Sequence, residues 1–425
     1  MKRKDFLTLS VLVAGTGTLA GSNASASTQK DQDMNRILDN LQPMTEDVQP
    51  ITVAEREERI KKAQRLLKEA GMVALVLDSG TTMNYFTGIR WGRSERTMAV
   101  VIPAQGEVSY VCPGFEEGRM RELVKIGKQV YVWQEDENPS LQIIKAINDA
   151  GGTSGKVGIE ESVRFFIVDG LRKVAPQFEY VSGDPVTVPC RLIKSATELA
   201  LMQKATDITI AAMKIGISSL KEGMAPAEFS DIVATAHRKL GAVNDFAMAN
   251  FAEASAFPHG STQPQQLKKG DVVLMDCGCL VQGYASDISR TIVFGAEPTP
   301  RQLEIWNLEK KAQMAGFAAA QLGAPCESVD AAARKVLTDA GFGPGYKLPG
   351  LPHRTGHGIG MEGHEWGYIV KGNQLPLQPG MCFSIEPNIS IVGEFGVRHE
   401  DCVYMTDEGP KWFSQPSVSI SQPFA

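Results

Sequence analysis

Five of the six histidines in this 425-residue chain fall at positions 259, 353, 357, 364 and 399, and only His237 lies outside that stretch. Imidazole binds metals and exchanges protons near neutral pH, so the skew marks a region worth reading closely. Four acids there occupy unusual surroundings. Asp276 interrupts the apolar run Val272-Val273-Leu274-Met275-Asp276-Cys277-Gly278, where an unpaired charge is costly. Asp287 follows beyond a tight turn expected near Val281-Gln282-Gly283. With Val281-Gln282 as the two-residue loop of an antiparallel hairpin, the two aspartates face each other. A turn one residue further on makes them diagonal neighbours. Glu386 and Glu400 repeat the arrangement across a three-residue loop, Val392-Gly393-Glu394, which places them opposite one another. Opposed Cβ atoms are ~4.5–5.5 Å apart, and like charges there are destabilising. A solvated face is the ordinary fate of a single carboxylate, but two matching acidic hairpins are better explained by cations between them.

The segment His353-Arg354-Thr355-Gly356-His357-Gly358-Ile359-Gly360 precedes the second hairpin, with His364-Glu365 just beyond. Glycine permits close backbone approach and unusual dihedrals, which suits a loop carrying imidazoles into a site. Four carboxylates balance two divalent cations. Oxygen-rich ligation with one imidazole suits Mn²⁺, with Fe²⁺, Co²⁺ or Zn²⁺ as alternatives. Two such ions ~3.5–4 Å apart can activate a shared water for hydrolysis.

Elements must exist to position these residues. Thr52 and Glu55 form a capping box opening a charged helix that ends at Gly71. β-like runs follow at 72–77, 98–102, 108–112, 129–133 and 157–160, with helical stretches near 116–126, 139–150 and 162–173. Interleaved strands and helices predict an α/β domain over 51–185. No phosphate-cradling glycine loop is present there, because Gly151-Gly152-Thr153-Ser154-Gly155 follows a helix and precedes a strand. The Pro-containing stretch Gly183–Pro189 is expected to separate this domain from an α+β domain over 190–415, followed by a tail at 416–425. In the second domain, helices near 196–220 and 226–240 precede β-like segments at 271–278 and 284–294. Helices near 299–322 and 327–340 then precede segments at 381–391 and 397–405. The repeated order predicts an internal pseudo-twofold duplication.

Lys2, Arg3 and Lys4 precede a mildly apolar run from Phe6 to Ala20, and Ala24-Ser25-Ala26 offers a small-x-small cleavage site. That is the plan of an export signal over 1–26, followed by a polar linker at 27–50. The run falls short of the ~20 apolar residues of a spanning helix, so no stable membrane span is expected after processing. Arg3-Lys4-Asp5-Phe6-Leu7 resembles a twin-arginine signal with lysine replacing the second arginine, which implies a periplasmic destination; an unprocessed N-terminus would leave the protein cytoplasmic. A net charge of −6 gives no support to a nucleic-acid partner. Seven cysteines without a CxxC pair show no disulfide framework or zinc finger.

The stretches Leu274–Gly278, Ser286–Thr291, His353–Gly360, Ser384-Ile385-Glu386-Pro387 and Gly396–Asp401 together resemble the pita-bread-fold metallopeptidases, and within them the Xaa-Pro aminopeptidase and prolidase branch. Arg191-Leu192-Ile193-Lys194-Ser195 resembles that branch's junction into the catalytic domain, and Asn84-Tyr85-Phe86-Thr87-Gly88 its creatinase-like N-terminal domain. The resemblance spans about 51–415. It implies that Asp276 binds one metal through both oxygens, that Asp287 and Glu400 bridge two metals, and that His357 and Glu386 complete the second metal's shell. His259 matches the outer histidine that steadies substrate or oxyanion, His364 the histidine near the scissile amide, and His353 an auxiliary one. Arg398 matches the arginine behind the bridging glutamate. His399 departs from the family's apolar residue, and strand alternation turns it away from the face of Glu400, so it is read as structural. The implied reaction is hydrolysis of the N-terminal Xaa-Pro bond of a dipeptide or short proline-containing peptide. A hydroxide bridging the metals attacks, and Glu386 carries the proton to the leaving nitrogen. A homodimer is implied as well. Creatinases share the fold but do not use this metal centre, so the intact ligands argue against that activity, and the methionine aminopeptidase branch lacks a domain like 51–185. Two other functions remain compatible with the residues: a non-peptide amide or cyclic amidine hydrolase on the same centre, and a non-catalytic binding protein that kept the fold.

Overall fold

A computed structural model describes residues 32–424; the expected export signal lies outside the described residues. Residues 32–39 are helical (α1), although they fall in the stretch expected to be a polar linker. Met34 and Leu38, one helical turn apart, are buried in the same core as Met224 and Leu240. This i, i+4 apolar pair outweighs the polar composition around it.

The first domain runs α2 (Val53–Glu69), β1 (Met72–Asp78), α3 (Thr81–Thr87), β2 (Ala99–Pro103), β3 (Ser109–Pro113), α4 (Glu117–Leu123), β4 (Gln129–Trp133), α5 (Pro139–Asp149), β5 (Gly155–Ile159), α6 (Phe165–Val174), β6 (Phe178–Ser182) and α7 (Asp184–Leu192). Its mixed sheet has the order β4-β3-β2-β1-β5-β6. The central strands read as unbroken apolar runs because both faces are covered: Leu75 and Leu77 pack into one core, Ala74 and Val76 into the other. Thr52 caps α2 by accepting from the Glu55 N–H at 3.1 Å. The reciprocal half of the expected capping box is not made, because the Glu55 carboxylate binds Arg59 at 3.0 Å and the Ser195 hydroxyl at 2.7 Å. The stretch expected as a separator, Gly183–Pro189, is mostly α7. Pro185 sits in the first turn, where a missing N–H costs nothing, and burial of Val186, Cys190 and Leu192 offsets the bond lost at Pro189.

The second domain repeats helix pair and hairpin. Its first half comprises α8 (Ala196–Ser219), α9 (Pro226–Lys239), β7 (Val243–Phe251), β8 (Val272–Val281), β9 (Tyr284–Ala285) and β10 (Ile288–Val293). Its second half comprises α10 (Pro300–Ala319), α11 (Cys326–Asp339), β11 (Gly356–Gly358), β12 (Glu365–Ile369), β13 (Cys382–Ile385), β14 (Asn388–Ile391), β15 (Phe395–Arg398), β16 (Asp401–Thr406) and β17 (Gly409–Trp412). Strand β7 escapes sequence patterning because it is a half-exposed edge with a register shift between Asn244 and Phe246.

The two hairpin registers decide where the acids go. In the first, Val281 pairs with Tyr284 and Asp276 with Ser289. The loop is therefore Gln282-Gly283, with φ of 51° and 89°, the positive pair of a tight I′-type turn. The turn lies one residue beyond the face-to-face arrangement, so Asp276 and Asp287 are diagonal neighbours. In the second, Asn388–Arg398 and Ile385–Asp401 share one register on either side of Glu386 and Glu400, so these acids oppose each other as expected. Their own backbones pair elsewhere: Glu386 N–H donates to Thr355 at 2.8 Å and Glu400 N–H to Ser289 at 3.2 Å. The Ser289–Glu400 bridge joins the two hairpins.

Arg290 locks that junction. Its guanidinium donates to the Ser289 carbonyl (2.9 Å), the Glu400 carbonyl (3.0 Å) and Asp401 Oδ1 (2.7 Å), with both ions fully buried. Arg290 Nε also donates to the Pro423 carbonyl at 2.8 Å, which fastens the tail expected at 416–425. All seven cysteines are free and buried, and among the described residues no helix is long and apolar enough to cross a membrane. Removing one member of a buried ion pair costs about 3–5 kcal/mol, and Arg290→Met should lower the unfolding free energy of the metal-free protein by that amount. Urea denaturation checks it; a midpoint equal to wild type would contradict the role given to the pair.

Candidate active site

All five expected ligands converge where the hairpins meet. Asp276 projects from β8, Asp287 from the break between β9 and β10, Glu386 from the break between β13 and β14, and Glu400 from the break between β15 and β16. His357 is the central residue of β11, a strand with glycine on either side. A Cβ on Gly356 would lie 1.9 Å from the Ser384 carbonyl oxygen, and one on Gly358 1.8 Å from that of Trp366. Only glycine there lets β11 insert this closely. One ligand atom each from Asp287, His357 and Glu400 falls within 4.8 Å of the others. His357 Nε2 lies 3.0 Å from Glu386 Oε1, 3.6 Å from Asp287 Oδ2 and 3.9 Å from Glu400 Oε1.

The donor set fits a cation. His357 Nδ1 donates to the Gly358 carbonyl at 3.1 Å, which leaves Nε2 of the neutral ring as the lone-pair nitrogen. Nε2 and Glu386 Oε1 are then both acceptors, so a proton or a metal must lie between them. Burial, then Glu400 and the other acids, pushes the Asp287 carboxyl well above its ordinary range. Burial, then Glu386 and Asp276, does the same to Glu400. Burial also raises Asp276, against the pull of Arg398. For Glu386, burial acts upward, but a proton on His357 Nε2, standing where a metal would lie, more than offsets it and holds the carboxyl at about 2. These four acids cannot all ionise together without added positive charge. An oxygen-rich, buried, net-negative pocket with one imidazole is the donor chemistry of divalent first-row metals.

Arg398 sits behind the acids. It donates to Asp276 Oδ2 and, through Nη1, to the Pro258 carbonyl at 3.1 Å. Its Nε donates to Ser289 Oγ at 2.8 Å, and that hydroxyl lies 3.0 Å from Asp276 Oδ1 and 2.7 Å from Glu400 Oε2. Both Asp276 oxygens are thus already hydrogen-bonded, and each keeps a second lone pair for a metal. Ser289 escaped the sequence reading. The corrected register, which sets it opposite Asp276, is the signal that identifies it.

A cavity of about 290 Å³ opens over this cluster, and His259, His353, Arg354, His364, Glu386 and Arg398 line it. The three outer histidines expected from sequence therefore share one wall. The ring of His364 lies 4.0 Å from that of His357, and burial, then His357, pushes it down to about 4. Burial lowers His353 as well. His353 Nδ1 donates to the Arg354 carbonyl at 2.7 Å, and its buried Nε2 has no hydrogen-bond partner among the described residues. His399 is elsewhere, fully buried against the Trp306 ring and 3.2 Å from Glu309. His237 is held by Asn244 at 2.8 Å.

Comparison with known proteins agrees with this geometry. Residues 200–407 match the model for metallopeptidase family M24, and residues 59–193 that for the creatinase/prolidase N-terminal domain. An uncharacterized peptidase of Schizosaccharomyces pombe is 34 % identical over 384 residues, covering 86 % of this chain and 82 % of that protein. An Xaa-Pro dipeptidase of Lactobacillus delbrueckii subsp. lactis is 32 % identical over 366 residues, 85 % of this chain and 98 % of that one. The crystal structure of dipeptidase PepE from Mycobacterium ulcerans superposes with a TM-score of 0.80 at 30 % identity, covering 88 % of this chain and 99 % of that chain. Fold and site thus define a metallopeptidase with the pita-bread catalytic fold. The chain belongs to metallopeptidase family M24, in the prolidase branch that carries a creatinase-like N-terminal domain.

Asp287 is one of the two carboxylates that burial and neighbouring acids push well above the ordinary range. It is also one of three residues whose ligand atoms cluster within 4.8 Å, so its loss should weaken metal binding directly. Calorimetric titration with divalent first-row cations is expected to show less metal bound per chain in Asp287→Ala than in wild type, with hydrolysis lost in parallel. Full occupancy in the variant would remove Asp287 from the ligand set.

Proposed function

We propose that the chain hydrolyses the N-terminal Xaa-Pro bond of dipeptides or short peptides, using two divalent cations, with Mn²⁺ as the expected ion, held by Asp276, Asp287, His357, Glu386 and Glu400. One observation carries the reading: buried carboxylates and an imidazole nitrogen converge beside a cavity that Glu386 enters and that histidine and arginine line. Similarity to an Xaa-Pro dipeptidase over most of both chains supports the choice of substrate.

When bound, such a cation pair supplies Lewis acidity and makes a water acidic enough to act as nucleophile near neutral pH. The chain's own residues do the rest. Asp287 and Glu400 hold the centre of the donor cluster, while Arg398 and Ser289 fix the directions of Asp276 and Glu400. Glu386 both approaches His357 and lines the cavity, which suits it to pass a proton to the departing nitrogen. The step is needed in any peptide hydrolysis, because the nitrogen must gain a proton to leave as an amine, here the secondary amine of proline. His353 and His364, kept neutral by burial, line the same cavity. The N–H of His364 can hydrogen-bond the scissile carbonyl as negative charge develops on its oxygen. His353, whose N–H is taken by the Arg354 carbonyl, instead offers a bare Nε2 that can accept from a substrate N–H. His259 stands at the exposed mouth of the cavity, where the substrate enters. The homodimer and the periplasmic destination expected from sequence complete the reading.

The decisive experiment profiles peptide length. Mn²⁺-saturated protein is incubated with Xaa-Pro dipeptides, Xaa-Pro-Xaa tripeptides and longer Xaa-Pro-led peptides, beside a panel of non-peptide amides, with metal content measured on the same sample. Release of the first residue from proline peptides alone is expected. Intact dipeptides and tripeptides in a metal-loaded sample would sink the proposal. In the same assay His364→Ala should lower kcat by about 10²-fold, the low end of a general acid–base or oxyanion contribution, with metal content unchanged.

A further inference from the structure

The motif Arg191-Leu192-Ile193-Lys194-Ser195 lies outside the donor cluster, yet two of its side chains converge on the residue next to His364. Glu365 is buried, and its carboxylate gathers four donors. Arg191 Nη2 approaches Oε1 at 2.6 Å and Lys194 Nζ approaches Oε2 at 3.1 Å. The backbone N–H groups of Met361 and Glu362 donate to Oε1 at 2.9 and 3.2 Å. Residues 359–364, which connect the ligand strand β11 to His364, are therefore wrapped around one carboxylate. Gly360 is what lets them close: a Cβ there would lie 2.6 Å from Glu365 Oε2 and 2.8 Å from Lys194 Cε. Burial alone would raise the Glu365 carboxyl, but Lys194 and Arg191 more than offset it and hold it at about 2.

Arg191, near the end of α7, is also held from within its own N-terminal domain. Its Nη1 donates to Thr82 Oγ1 at 3.0 Å, the Thr82 hydroxyl donates to Glu160 at 2.8 Å, and its Nη2 also reaches Glu362 at 2.8 Å. A continuous polar path thus runs from the end of β5, through α3 and α7, to the loop that ends at His364. We propose that Arg191, Lys194 and Glu365 form an interdomain latch that positions His364 over His357, so that the seating of the N-terminal domain sets the rate of the chemical step. This rests on the reading of His364 as a group that faces the scissile bond. The latch residues are positioning residues, since their charged atoms meet one another and the loop rather than the cavity.

The test compares Arg191→Met, Arg191→Lys and Glu365→Gln in the full-length, Mn²⁺-loaded enzyme, by steady-state kinetics on an Xaa-Pro dipeptide and by hydrogen exchange at the Met361 and Glu362 amides. In Arg191→Met, kcat per metal-loaded site is expected to fall about 10–100-fold, the range for residues that orient a site from behind, with KM within about twofold because His364 is needed most in the transition state. Both amides should exchange faster, and Arg191→Lys should restore most of the rate. A kcat within about twofold of wild type in Arg191→Met overturns the latch whatever the amides do, as does a fall that only tracks lost metal, or no rescue by lysine. Should Arg191→Met not fold, Glu365→Gln carries the same criteria. If wild type itself leaves Xaa-Pro peptides intact, the functional reading fails separately. The exchange measurement then decides the latch, with unchanged Met361 and Glu362 amides overturning it.

Discussion

Four carboxylates crowded into a buried space around one guanidinium set the terms for the rest of this molecule. Mutual repulsion among Asp276, Asp287, Glu386 and Glu400 favours spreading, so the backbones that carry them need independent fastening. The fold supplies it at the Ser289–Glu400 bridge, where the two hairpins meet back to back. Arg290 binds both carbonyls of that bridge and pairs with Asp401, which Gln313 of α10 holds from the other side at 2.9 Å. Burying such ions is costly and contributes little net stability. The return is a donor set fixed before any metal arrives, so that binding energy is not spent on ordering ligands.

The N-terminal domain takes part in the same task. Arg59 of α2 reaches Glu198 of α8 at 3.4 Å and the Tyr284 hydroxyl at 3.2 Å, and that hydroxyl donates to Glu198 at 2.9 Å. Tyr284 begins the short strand β9 that delivers Asp287. Glu55 adds a bond to Ser195, the N-cap of α8. One polar contact between the domains thus steadies the turn that leads to Asp287, while the Arg191 cluster holds the loop that ends at His364. The interface is built from charged groups aimed at two site-bearing segments, so domain seating and site geometry are mechanically linked.

Much of this was readable from residue order. The apolar run with Asp276 in its middle, the matched acids of the second hairpin and the glycine-flanked His357 each break a local rule: a charge in a core strand, like charges opposed, glycine where a strand wants side chains. Such breaks occur at functional sites. Misplacements came from turns and edges. One residue in the Gln282-Gly283 turn moved Asp287 from facing Asp276 to the diagonal. Prolines at 185 and 189 read as a break where burial sustains a helix, and α1 looked like linker because only Met34 and Leu38 mark its buried face.

Sequence by itself determined which residue types the site contains and that they come in two hairpins, because periodicity and charge placement are properties of the local chain. Tertiary structure alone decided that the hairpins touch at Ser289 and Glu400, that Arg398 and Ser289 stand behind the acids, and that Arg191 reaches Glu365 across the domain boundary. These contacts join residues more than a hundred positions apart. No local pattern encodes such a pairing. It follows from how two sheets and their helices bury their apolar faces together, which brings the polar groups at the edges of those faces within bonding distance.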